Sequence, residues 1–436
     1  MKKINFIIGF LYIILVSTCS NSENETPSIE PNVDVTKPNI LLIIADDMSK
    51  DATSGFSEGV IKPNTPHINS LKNTGISFNN FWVYPTCSPT RASIITGKYG
   101  FRTNVNWAGD VLSSSETILQ SYINQQTNNA YDTTLVGKWH LSGSGNTISN
   151  PETLGIDYYA GLYGGGVQNY EQWQLTEDGA VTTQTQYITE KFTDLAIDRI
   201  ESQDNPWFLW LAYNAPHTPF HAPPSNMHSQ GNLPEYTAGM DALPYYLAAI
   251  EAMDFQIGRL LESIPEDERA NTIIIFMGDN GTPNQVAQSP YSNSTVKGSI
   301  YQGGINTPLF VSGHGVTRSG QEDDNLINST DLFATIAQIA GSATSEIHDS
   351  KSFQSLFTES LNIRDFQYSE LNNGANHRWA LSNGTYKLFV DANGNQELYN
   401  LISDPYENTN LLLETLNTTQ QTAVTELENE LLEIRQ

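Results

Sequence analysis

Only two cysteines occur in the 436 residues, and Cys87 is the one inside the body of the chain. It opens the run Cys87-Ser88-Pro89-Thr90-Arg91, and residues 89–96 read as the start of a helix. The first amides of such a helix and its dipole favour negative charge at position 87. Two acidic elements accompany it. Asp46-Asp47 directly follows an apolar run, where adjacent carboxylates repel unless a cation lies between them; a helix-capping pair is the other reading. Asp279-Asn280-Gly281 follows a second apolar run, and its ordinary meaning is a turn. Two such elements at the carboxyl ends of two core strands point to one shared site for a hard cation. The oxygens of Asp46, Asp47, Asp279 and Asn280 suit calcium or magnesium rather than zinc, since no histidine or thiolate ligand set is spaced nearby.

The elements that must position these residues alternate. Short β-branched apolar runs at 39–45, 133–137, 206–213, 272–278 and 308–311 read as strands buried on both faces. Helical stretches at 65–73, 116–126, 185–201, 243–264 and 329–340 lie between them. This predicts an α/β fold, a mostly parallel central sheet sandwiched by helices, with functional residues at the carboxyl ends of its strands. Beyond about 345 the character changes. Runs at 379–382, 386–390 and 396–399, joined by Asn383-Gly384 and Asn393-Gly394, predict a small C-terminal antiparallel sheet, with a packing helix over 418–435. The Gly- and Tyr-rich stretch 161–172 reads as a surface excursion whose aromatics could also meet sugar. The organisation is then a signal at 1–19, a flexible tether at 20–37, a catalytic domain at 38–345 and a small α+β subdomain at 346–436.

With 21 Lys and Arg against 48 Asp and Glu, the net charge is -27, which excludes nucleic acid and anionic membrane surfaces as partners. An anionic small substrate stays possible, because a pocket needs only a few local cations. Lys2 and Lys3 precede an apolar run at 4–16 that is too short to span a membrane, followed by Ser17-Thr18-Cys19. That end is similar to a bacterial lipoprotein box, in which Cys19 is lipidated; Thr18 departs from the usual Gly or Ala, and plain signal cleavage is the alternative. Either way the protein is exported, to the periplasm or cell surface. Cys87 then has no disulfide partner.

The motifs together resemble those of the type I, formylglycine-dependent sulfatases of the alkaline-phosphatase-like superfamily, in the family's order from about 38 to 331. They are Asp46-Asp47, Thr65-Pro66-His67-Ile68, Cys87-Ser88-Pro89-Thr90-Arg91, Gly137-Lys138-Trp139-His140, Gly155-Ile156-Asp157, Asn214-Ala215-Pro216-His217-Thr218-Pro219, Asp279-Asn280-Gly281, and Lys297-Gly298-Ser299 with Gly303-Gly304. The resemblance implies that Cys87 is oxidised to formylglycine by a formylglycine-generating or anaerobic sulfatase-maturating enzyme. Its hydrate binds one calcium ion with Asp46, Asp47, Asp279 and Asn280, and attacks sulfur. Arg91 then holds the diol and the anion, Lys138 and Lys297 bind sulfate, His140 takes the proton that releases sulfate, and His217 protonates the departing alcohol. His221, outside the common pattern, is either a surface histidine or a substrate subsite. Two positions depart from the family: Asn306 stands where many relatives have Arg, and 48–55 lacks the usual glycine turn.

The function implied is sulfate ester hydrolysis on a carbohydrate. Low lysine content and an anchored, Asn-, Ser- and Thr-rich chain fit a bacterium feeding on sulfated algal polysaccharide such as ulvan or carrageenan. A phosphonate or phosphate ester hydrolase of the same superfamily is the alternative. An inactive glycan-binding surface lipoprotein is a third reading, though binding alone would not require all six of Cys87, Arg91, Lys138, His140, His217 and Lys297.

Overall fold

Asn39–Ala45 (β1) is apolar at nearly every position, and all seven of its residues are buried. In this computed structural model, which describes residues 37–143 and 150–436, it is the centre of a ten-stranded sheet. The other strands are β2 (Ile76–Trp82), β3 (Asp132–Lys138), β4 (Tyr158–Leu162), β5 (Trp173–Glu177), β6 (Ala180–Gln184), β7 (Trp207–Ala212), β8 (Thr272–Gly278), β9 (Leu309–Gly313) and β10 (Gln321–Asn328). Their order is β10-β2-β9-β8-β1-β7-β3-β4-β5-β6. The five central strands β8, β1, β7, β3 and β4 are mutually parallel, and β9 runs against them. The signal, Cys19 and the tether up to residue 36 lie outside the described residues.

Alternate residues of β1 serve opposite cores. Ile40, Leu42 and Ile44 pack with the helices Cys87–Thr96, Leu119–Thr127 and Asp331–Ile339. Leu41, Ile43 and Ala45 pack with Pro66–Thr74, Ile188–Glu201 and Leu243–Ser263. Each of these isoleucines and leucines is fully buried, worth roughly 1.5–3 kcal/mol apiece. Helices on both faces leave the carboxyl edge of the sheet as the open side. Among the described residues, no helix is long and apolar enough to cross a membrane.

The strands and helices read from hydrophobic runs are present with ends shifted by a few residues. The helix predicted from 116 begins at Leu119, because Glu116 is held in a turn on the Ser113 carbonyl and paired with Lys98 at 2.7 Å. β2, β4, β10 and the hairpin β5–β6 have no counterpart among the predicted elements. β10 reads Gln-Glu-Asp-Asp-Asn at its start, a polar sequence that an edge strand tolerates. The hairpin turns at Asp178-Gly179, both with positive φ, 46° and 74°.

A two-residue ribbon, β11 (Glu346–Ile347) and β12 (Ser350–Lys351), precedes a four-stranded antiparallel sheet. That sheet is β13 (Gln367–Asn372), β14 (His377–Ser382), β15 (Tyr386–Asp391) and β16 (Gln396–Asn400), one strand more than the hairpin signals marked. The closing helix Thr418–Ile434 starts with a reciprocal Asn417–Gln420 capping box and buries Ala423, Leu427 and Leu431 against Leu381, Leu388 and Leu398. The small sheet is joined to the large one. Leu371, Ala380, Phe389 and Tyr399 pack on Trp82, Ile300 and Ile305, and buried Lys387 bridges Glu407 and the Ile300 carbonyl at 2.6 and 2.7 Å. Residues 37–436 form one compact unit.

Candidate active site

Four central strands deliver the chemistry to one edge. β1 ends into Asp46-Asp47, β8 into Asp279-Asn280, β3 into Lys138-Trp139-His140, and β7 into Asn214 and His217. Backbone bonds lock these ends together: the Asp46 amide donates to the Ala215 carbonyl, and the Asp279 amide to that of Ala45. Asp47 has φ 71°, a left-handed conformation that turns its amide onto Asp279 Oδ1 at 3.1 Å. His140 is likewise left-handed, φ 60°.

Cys87 is the first residue of the helix Cys87–Thr96, and its Sγ lies 3.3 Å from His140 Nδ1. Neighbouring Ser88 secures that approach by donating to the His140 carbonyl at 2.8 Å. Around Cys87 stand three cationic side chains, each matched to a carboxylate. Arg91 donates to Asp279 Oδ2 at 2.8 and 3.2 Å and to the Lys138 carbonyl at 2.7 Å. The Lys138 ammonium, wholly buried, bonds Asp46 Oδ2. Lys297 reaches Asp47 Oδ2 at 2.6 Å, and His217 Nε2 lies 3.7 Å from the same oxygen. The Lys297 turn is itself fixed, since the Gly298 amide donates to the Pro85 carbonyl, two residues before Cys87.

The electrostatics follow from burial and pairing. Burial alone would push the Asp47 carboxyl up, but Lys297, His217 and Lys138 more than offset it and hold it below the usual range. Burial disfavours the Lys138 and Lys297 ammoniums, yet Asp46 and Asp47 respectively raise both. Asp279 is pushed up by burial and by Asp46 beyond what Arg91 recovers. Burial, then Lys138 and Arg91, lower His140 to about 2, so its ring is neutral. Burial raises the Cys87 thiol despite Lys138, so as encoded it is a protonated thiol and a poor nucleophile.

The donor set fits a divalent cation. Asp46 Oδ1 and Asn280 Oδ1 are buried acceptors without any hydrogen-bond partner, while the Asn280 amide nitrogen donates to Asp47 Oδ1 at 2.7 Å and so aims its oxygen away. Ligand atoms of Asp46, Cys87 and Asp279 lie within 4.8 Å of one another, as do those of Asp46, Asp47 and His217. Orphaned buried oxygens are costly unless something binds them.

A family model described as Sulfatase matches residues 38–342, and one described as N-sulphoglucosamine sulphohydrolase, C-terminal, matches 296–436. The chain belongs to the sulfatase family. Its class is therefore sulfuric ester hydrolase, and the family generally uses formylglycine and a divalent metal. This sulfatase is 29% identical to the uncharacterized sulfatase YdeN of Escherichia coli, over 70% of this chain and 62% of that protein's length. It is 28% identical to an ulvan-active sulfatase of Formosa agariphila, over 62% of this chain and 55% of that one. The crystal structure of Ps i-CgsB in complex with k-i-k-neocarrahexaose superposes with a TM-score of 0.76 at 24% identity, covering 91% of this chain and 92% of that one.

The structure brings Asp46, Asp47, Cys87, Arg91, Lys138, His140, His217, Asp279, Asn280 and Lys297 of this sulfatase into one cluster. His221 stands apart from it. The ring stacks on Tyr170 with centroids 3.8 Å apart, and its nitrogens face Tyr187 Oη at 2.9 Å and the Pro219 carbonyl at 3.0 Å. The stretch 161–172 is no plain surface excursion. Gly161 belongs to β4, and Gly165 lies so close over the imidazole of His140 that a Cβ there would sit 2.4 Å from Nε2. A β-carbon on Gly166 would lie 3.5 Å from the His217 ring. The Gly164-Gly165-Gly166 triplet was the available signal, since three glycines allow backbone to approach a site closely. Asn306 is buried and donates to Gln302 Oε1 at 2.8 Å.

Proposed function

We propose that this sulfatase hydrolyses sulfate esters of a carbohydrate, using a formylglycine made from Cys87 and a calcium ion held by Asp46, Asp47, Asp279, Asn280 and the modified position 87. The observation that carries the proposal is the ring of Arg91, Lys138 and Lys297 around a buried position 87, backed by orphaned oxygens on Asp46 and Asn280. When bound, the hydrated aldehyde and the cation supply a nucleophile of lowered pKa and positive charge against the sulfate.

The chain's own residues do the rest. Lys138 and Lys297 hold the sulfate oxygens, giving part of their charge to the anion, and Arg91 fixes position 87 between them. His140, with Nδ1 toward position 87, accepts a proton from it. His217 Nδ1 lies 2.7 Å from the Thr218 carbonyl, which retains a hydrogen there. The proton delivered to the leaving alcohol therefore comes from Nε2, on the side facing Asp47.

A sulfated algal glycan is the substrate class proposed, supported by the ulvan-active relative and by the neighbour solved with k-i-k-neocarrahexaose. Export, a lipid anchor at Cys19 at the periplasm or cell surface, and maturation by a formylglycine-generating or anaerobic sulfatase-maturating enzyme belong to the same proposal. Parallel rates on an aryl sulfate, an aryl phosphonate and sulfated algal oligosaccharides test it. Sulfate turnover should dominate; dominant phosphonate turnover would make the chain a phosphonate hydrolase instead.

A further inference from the structure

A cleft of about 670 Å³ opens beside His217, and the catalytic scheme above leaves it unused. Its size is that of a small-molecule site. One wall is the far end of the loop whose glycines cover His140 and His217; the other is the segment that follows His217 directly, through Pro219, Phe220 and His221. The two walls are tied at the base. Tyr170 Oη lies 2.6 Å from the His217 carbonyl and 2.8 Å from that of Asn214, and the Tyr170 ring carries the stacked His221. The cleft is thus joined to His217 from both walls, through Gly166 beside its ring and through the chain that runs from it to Pro219.

The lining chemistry is unlike that of the sulfate pocket. Half-buried Phe220 and Tyr236 meet edge to face at 5.5 Å, offering apolar ring surface of the kind that takes the C–H face of a sugar. Exposed Gln168 adds an amide for hydroxyl groups. Exposed Glu171 and Glu235 supply the charge, and among the described residues no lysine or arginine lines the cleft. His221 adds no cation, because burial lowers it to about 4 against the weaker upward pull of the Pro219 carbonyl.

We propose that this cleft binds the sugar adjoining the sulfated ring and selects an uncharged one, with Phe220 and Tyr236 as platform and Glu171 and Glu235 repelling a second sulfate or a uronate. The inference rests on the sulfatase reading and narrows its substrate to glycans in which a sulfated residue is followed by a neutral one. Anions brought within a few ångströms of two exposed carboxylates lose about tenfold in binding, and salt screens that loss.

The test compares kcat/KM on two oligosaccharides with the same target sulfate, one with a neutral neighbouring sugar and one with a sulfated neighbour, at low and high salt. Wild-type enzyme should prefer the neutral neighbour by about tenfold at low salt, and Glu171→Gln with Glu235→Gln should bring that ratio close to unity. A wild-type preference for the sulfated neighbour, or a ratio unmoved by the double substitution, would overturn the assignment while aryl sulfate turnover by wild type still upheld the sulfatase reading. Absence of turnover on every sulfate ester would overturn both.

Discussion

At the scale of single residues, the site is a balanced set of buried charges. Asp46, Asp47 and Asp279 oppose Lys138, Lys297 and Arg91 one to one, and Asp46 Oδ1 and Asn280 Oδ1 are left over as acceptors. Such a set tolerates an added cation and an added anion together far better than either alone. Removing Lys138 or His217 should each lower kcat by on the order of a hundredfold or more, the scale for a charge-stabilising or acid-base group. The two differ in stability. Lys138→Ala strands a buried carboxylate and should also lower Tm, whereas His217 is partly exposed and His217→Ala should not. Parallel kinetics and thermal melts check this; near-normal turnover in either variant rejects its role. The identities of these residues were readable because each sits in a compact motif. Their pairings were not, since nothing local says that Lys138 will meet Asp46 or that Lys297 will meet Asp47 across the sheet edge.

At the scale of elements, the central strands announced themselves because burial on both faces demands continuous apolar runs, as in Asn39–Ala45 and Thr272–Gly278. Edge strands face no such demand, which is why the acidic β10 and the exposed β6 left no comparable trace. The stretch 161–172, read as a surface excursion, was the costliest misreading, because glycine gives no periodic signal and yet Gly165 rests on the His140 ring. Gly165→Ala should displace that ring and cost tenfold to a hundredfold or so in kcat with little change in Tm. An unchanged kcat would show that the loop does not position His140. His221 supplies a pH prediction for the same region. Its folded pKa is about 4, below the free value of 6.5, so between those values the unfolded chain binds more protons. Stability from this residue is thus present above about pH 6.5 and lost as pH falls toward 4. His221→Phe should lose less Tm than wild type between pH 7 and pH 4.5 in melts at the two pH values; an equal loss would mean that His221 titrates normally.

At the scale of the whole molecule, the net charge of -27 works against an anionic polymer even though the site holds three cationic side chains of its own. Raising ionic strength should therefore increase kcat/KM on a polysulfated oligosaccharide severalfold and leave a small aryl sulfate nearly unaffected, as rate measurements across a salt series would show. A fall with salt would reveal a basic track that the lining residues do not provide. The docking of the small antiparallel sheet through Trp82, Ile300 and Ile305, close to the Lys297 turn, belongs to this scale as well. The sequence marked the small sheet by its Asn-Gly turns, but the apolar contacts that fasten it to the larger one join positions far apart in the chain and follow no periodicity.

The central claim is that the nucleophile is not the encoded thiol, which burial keeps protonated beside His140. Mass spectrometry of the tryptic peptide containing Cys87, from protein made in a host with maturation machinery and active on a sulfate ester, tests it most directly. The account predicts the mass of an aldehyde in place of the side-chain thiol; an unmodified cysteine in that active protein would contradict it.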